Sequence, residues 1–197
     1  MPQTIAVTGD KGGTGKSTIS ILLAEWCAFR GKAAHLIDAD PAQTTQIWIE
    51  KCQDQGHYPS EDQGSIRIVD TAGTSGTSLQ RYIIRSDVIV LPCQLHAADL
   101  ETVIGWYLSV NPTLQERVVF LPNRLSNTIE QRRGLEALEE AVLSQGRGRV
   151  SSGIANRPAV YPPILNGLGQ NFFASHTHPT AANELSAAFD PIIGGMI

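Results

Sequence analysis

Lys11 and Lys16 both stand in one glycine-rich run, GDKGGTGKST, over residues 9–18. Gly15, Lys16 and Ser17 close the pattern G-x-x-x-x-G-K-[ST]. In such a loop glycines let consecutive backbone N–H groups turn inward on phosphate oxygens, while the lysine neutralises the β/γ charge. Ser17 supplies the type of hydroxyl that ligates Mg²⁺ on a bound triphosphate. Gly12, Gly13, Thr14, Gly15, Lys16, Ser17 and Thr18 are therefore the residues expected to hold phosphate. The match is imperfect, because the first glycine of the pattern falls on Asp10 and the loop carries a second cation, Lys11. One lysine already serves the phosphates, so Lys11 needs its own account.

Three carboxylates have the second kind of spacing that matters. Asp38 and Asp40 follow an apolar run at residues 33–37, and Asp70 ends the run Ile66–Arg67–Ile68–Val69. In parallel sheets chemistry gathers outside the carboxyl ends of the strands, and an apolar strand delivering Asp70 suits a magnesium site. The sequence DTAG then offers Gly73, whose N–H is expected to reach a γ-phosphate as in switch loops.

These groups need a scaffold, and the chain alternates its patterns accordingly. Residues 4–9 read as a buried strand, and Ile19, Leu22, Leu23, Trp26 and Phe29 recur at helical steps after the loop. Phosphates would then sit at the positive end of a helix dipole. Further strands are expected at 33–37, 66–70, 87–92 and 117–123, with helices at 43–53, 76–86, 96–110 and 128–146. A short strand near 150–154, a Pro-rich turn and a last helix through 180–195 complete the reading. The fold class is α/β: one doubly wound, mainly parallel sheet with helices on both faces, forming a single domain over residues 1–197.

The run K-G-G-x-G-K-[ST] at residues 11–17 resembles the deviant Walker A motif of the ParA/MinD family of ATPases. The resemblance implies that Lys11 crosses a dimer interface to the phosphates of the partner's ATP, making dimerisation conditional on the γ-phosphate. DADP at 38–41 resembles the family's switch I sequence D-x-D-P-Q. That implies Asp40 positions the attacking water, while Asp38, like Asp70, meets the metal through water. Ala42 stands where the family usually has glutamine, with Gln43 one place later. Guanine readers carry N-K-x-D, whereas this strand end reads Asn123-Arg124-Leu125-Ser126. The aspartate is missing, and Asn123 with Arg124 is similar to the family's adenine site, so ATP is expected over GTP. Residues 155–167 (ANRPAVYPPILNG) also look like the family's segment after the penultimate strand.

Composition narrows the choice among relatives. Cys27, Cys52 and Cys93 form no C-x-x-C pair, which fits buried thiols in a reducing cytoplasm and not the shared cluster of iron–sulfur members. No run reaches the roughly 18 apolar residues of a membrane span. No cation follows Arg157, so neither a basic membrane anchor nor other membrane contact is expected. With the P-loop this near Met1, neither a signal peptide nor a preceding helix-turn-helix domain is expected. His176 and His178 are expected in an exposed loop without metal. The remaining resemblance is to the short, ParF-type partition ATPases.

The formal net charge is −4, yet arginines gather in the third quarter of the chain. Arg132, Arg133, Arg147 and Arg149 are candidates for DNA phosphates; the alternative is a solvated helix face, since Glu136, Glu139 and Glu140 are close by. The expected protein is a cytoplasmic, nucleoid-associated ATPase using ATP and Mg²⁺. It would form a homodimer with ATP, bind nonspecific DNA, segregate plasmid DNA, and answer to a ParB-like or other cargo adaptor. A protein cargo (carboxysome, chemotaxis array or conjugation complex) is the alternative within this class. A metabolic P-loop enzyme of the dethiobiotin synthetase type is the rival from another.

Overall fold

Short β-branched runs separated by amphipathic segments can bury both strand faces only between two helical layers. The computed structural model has that architecture, and it describes residues 2–57, 59–60, 64–72, 77–167 and 178–194. The strands are β1 (Gln3–Val7), β2 (Ala34–Ala39), β3 (Ile66–Thr71), β4 (Val88–Cys93), β5 (Val118–Leu125), β6 (Arg149–Val150) and β7 (Ile154–Ala155). The helices are α1 (Lys16–Phe29), α2 (Thr44–Asp54), α3 (Thr77–Arg85), α4 (Ala97–Ser109), α5 (Pro112–Gln115), α6 (Ile129–Gln145), α7 (Tyr161–Leu165) and α8 (Pro179–Ile193). Strand order is β2-β3-β1-β4-β5-β6, with β7 also on β5, and every pairing is parallel. The chain runs outward from β1 to one edge and returns past it to the other. The end of β1 is thus the switch point where such sheets open a crevice.

Strand alternation divides the core in two. Val88 and Val90 of β4 join the cluster under α1, α2, α7 and α8, whereas Ile89, Leu91 and Cys93 join the one under α4 and α6. Gly134 lets α6 press close, since a Cβ there would lie 2.4 Å from the Leu95 carbonyl oxygen. On the other face Trp26 Nε1 donates to Asp190 Oδ1 at 2.8 Å and Lys32 Nζ to the Ile193 carbonyl at 3.0 Å, fastening α8 to α1. Two features depart from expectation. Residues 150–154 form no single strand but the separate pairs β6 and β7, and the one-turn α5, begun by Asn111 capping Leu114 N at 3.0 Å, has too little periodicity to read in advance.

Candidate nucleotide-binding site

The register of the central strands assembles the site. Val7 at the end of β1 pairs with Asp70 of β3, and Asp70 in turn pairs with Asp38 of β2. Two carboxylates therefore emerge side by side next to the strand that feeds the glycine loop. The loop ends at Gly15, which caps α1 with φ 98°. The left-handed backbone at Gly15 favours glycine, and a Cβ there would also displace the Asn123 amide, whose Nδ2 would lie 2.3 Å away.

The two lysines are held differently. Lys16, on the first turn of α1, is buried, and its Nζ donates to the Lys11 carbonyl at 2.9 Å. Burial lowers its pKa, opposed by the negative charges of Asp70, Asp40 and Asp10. Lys11 is exposed on the outer rim and forms an ion pair with Asp99 in the first turn of α4. Thr14 is buried with its hydroxyl unpartnered, and Gly12 and Gly13 are exposed. Ser17 and Thr18 are half-buried.

Asp70 is fully buried, and Ser20 Oγ donates to its Oδ1 at 3.2 Å. Burial pushes its pKa up to about 6; the Ser17 hydroxyl opposes that rise and the charge of Asp38 adds to it. Its Oδ2 is buried without a hydrogen-bond partner. An orphaned carboxylate oxygen facing a hydroxyl, with a second carboxylate on the next strand, is a donor set that fits Mg²⁺. Asp38 also has local work. Its Oδ2 accepts from Thr45 N and Gln46 N at 3.0 Å each, capping the first turn of α2, and its Oδ1 accepts from Asp40 N at 2.9 Å. Asp40 Oδ1 accepts from Ala42 N at 2.9 Å, so only the backbone of residue 42 enters this turn, and Gln43 takes a left-handed φ of 53°.

Asn123 is buried against the loop. Its Nδ2 donates to the Thr14 carbonyl at 3.1 Å and its Oδ1 accepts from Arg124 N at 2.8 Å. Arg124 is exposed with φ 57°. The loop, Asp38, Asp40, Asp70 and Asn123 thus converge, whereas Gly73 lies outside the described residues. The four arginines do not form one patch. Arg132 and Arg133 are exposed near the start of α6, while Arg147 and Arg149 lie beyond its end, with roughly 20 Å of helix between Arg132 and Gln145. His178 precedes α8, and His176 lies outside the described residues. Sequence reasoning missed Asp99, which reaches Lys11 from 88 positions away with no motif to mark it. It also missed the meeting of Glu25, Cys52 and His57.

Residues 5–167 match the family CbiA, the CobQ/CobB/MinD/ParA nucleotide binding domain. Protein ParA of Rhizobium radiobacter is 25% identical over 115 residues, 48% of this chain and 50% of that protein. The sporulation initiation inhibitor protein Soj of Bacillus subtilis (strain 168) is 34% identical over 106 residues, 52% of this chain and 39% of that protein. The match spans half or less of the length of these curated relatives. An ATP complex of a Cyanothece McdA variant shares the fold, with TM-score 0.76 at 14% identity over 98% of this chain and 96% of that one. Among the described residues no helix is long and apolar enough to cross a membrane.

Proposed function

This chain belongs to the CobQ/CobB/MinD/ParA nucleotide-binding family, and from that membership we propose that it is a Mg²⁺-dependent ATPase that dimerises on ATP, binds DNA without sequence preference and segregates plasmid DNA. The observation that carries the reading is the division between two lysines on one loop, Lys16 buried among carboxylates and Lys11 exposed on the rim. A phosphate loop serving one chain needs only the first.

In this account Lys16 exchanges the Lys11 carbonyl for β/γ-phosphate oxygens, and the N–H groups of Gly12 to Thr18 surround the phosphates. Ser17 would hold Mg²⁺ through its hydroxyl, with Asp70 and Asp38 meeting the ion through water. The chemistry Mg²⁺ would supply there is neutralisation of charge on the transferring phosphoryl group. Asp40 orients the attacking water and accepts its proton. Gly73 N–H meets the γ-phosphate, and Asn123 with Arg124 borders the adenine. Lys11 leaves Asp99 to reach the triphosphate of the second chain. Arg132, Arg133, Arg147 and Arg149 from both chains hold the nucleoid DNA phosphates, and a ParB-like or other cargo adaptor accelerates hydrolysis. ATP turnover with and without nonspecific DNA tests this reading. Slow basal turnover altered by DNA is expected; turnover indifferent to DNA and dependent on a small carboxylic-acid or amine substrate would instead identify a metabolic enzyme.

A further inference from the structure

Three side chains of different ligand type meet where α1 packs on α2, away from the phosphate loop. Glu25 of α1, Cys52 of α2 and His57 just beyond α2 place a carboxylate oxygen, a thiol sulfur and an imidazole nitrogen within 4.8 Å of one another. Glu25 and Cys52 are wholly buried, while the His57 side chain is 15% exposed. His57 Nε2 meets both Glu25 oxygens, at 2.9 and 3.0 Å. The Cys52 carbonyl accepts from His57 N at 2.9 Å, a backbone bond that closes the C-terminus of α2 and holds His57 beside Cys52.

We propose that Glu25, Cys52 and His57 form a binding site for a zinc-class divalent cation, independent of the nucleotide site. Donors at zinc bond lengths in a tetrahedron stand roughly 3.3–3.8 Å apart, so opening the Glu25–His57 contact slightly and drawing in the thiol accommodates the ion. Thiolate with imidazole selects zinc or cobalt over magnesium, which prefers oxygen alone. Three protein ligands leave a fourth position for water on the exposed side of His57. On binding, the thiol proton leaves to solvent, and the proton shared between His57 Nε2 and Glu25 moves to Nδ1 or to solvent. The site lies roughly 14 Å along α1 from Lys16, so it does not compete for the triphosphate. It would join the helix that begins at the phosphate loop to the helix that follows Asp40.

Chelator-stripped, nucleotide-free protein titrated with Co²⁺ tests this directly, because thiolate ligation produces a near-ultraviolet charge-transfer band that an oxygen-only magnesium site cannot. We expect the band to saturate at one ion per chain, and Zn²⁺ to raise the melting temperature reversibly with chelator. Cys52→Ser should lose the band while keeping wild-type circular dichroism. His57→Asn, at the more exposed position, should weaken Co²⁺ binding more than about tenfold. No charge-transfer band in the folded wild type would overturn the proposal and leave a buried carboxylate–imidazole pair. A band surviving in Cys52→Ser would overturn it by moving the ion to Cys27 or Cys93. ATP affinity in the same samples reports separately on the nucleotide site.

Discussion

Lys16 is buried with its Nζ on the Lys11 carbonyl in place of phosphate, and the charges of Asp70, Asp40 and Asp10 oppose the lowering of its pKa by burial. Lys16→Ala should therefore lose about 3 kcal/mol of ATP affinity, roughly a hundredfold, with little change in melting temperature. Calorimetry returning wild-type affinity would remove the loop from nucleotide binding. Asp70 makes a prediction in pH. Its folded pKa of about 6 exceeds the ordinary 3.8, so the folded state binds the proton more tightly than the unfolded chain. The associated stability is fully present below about pH 4 and is lost as pH rises through about 6. Denaturant unfolding of the metal-free protein should accordingly show Asp70→Asn gaining on wild type as pH rises from 4 to 7, by up to about 3 kcal/mol. A gap that does not change with pH would contradict the burial of this carboxyl.

At the scale of elements, the carboxylate strand ends and the helices they feed are coupled. Asp38 caps α2, so any movement that frees it for a metal's water shell must also loosen the first turn of that helix. Asp40 would release the Ala42 N–H that it accepts from at 2.9 Å. Asp40→Ala should then keep ATP affinity but lower turnover about 10²–10⁴-fold; unchanged turnover would transfer the water-positioning role to Asp38. Helix α6 separates its two arginine pairs, with Glu136, Glu139 and Glu140 exposed between them. Neutralising Arg132 and Arg133 together should weaken DNA binding alike for all sequences and flatten the salt slope by about two per chain. An unchanged slope would place the DNA elsewhere.

Across the whole molecule, the order of strands and helices was legible because each run announces its period, and the P-loop because its glycines and lysine lie within ten consecutive residues. The neighbours of Asp70 were legible for a related reason: a strand end has a fixed place in a doubly wound sheet. What escaped reading depends on distance along the chain. Asp99 meets Lys11, and Glu25 meets Cys52 and His57, only after helices pack. The packing of Asn123 against Gly15 escaped for the same reason. The break between β6 and β7 escaped because two-residue strands carry no periodicity.

The proposed dimerisation ties these scales together, since on that reading the exposed Lys11 gains its purpose when a second triphosphate approaches it. Its present partner, Asp99, is a substitute a monomer can offer, and a buried unmatched charge at a dimer interface would be costly. Sedimentation of the wild type and of Lys11→Ala, each with Mg²⁺ and a nonhydrolysable ATP analogue or with ADP, tests the claim most directly. The account predicts a wild-type dimer with the analogue, a monomer with ADP, and a Lys11→Ala variant that binds the analogue with near-normal affinity yet remains monomeric. A Lys11→Ala variant that dimerises like the wild type, or a wild type that stays monomeric with saturating analogue, would contradict it.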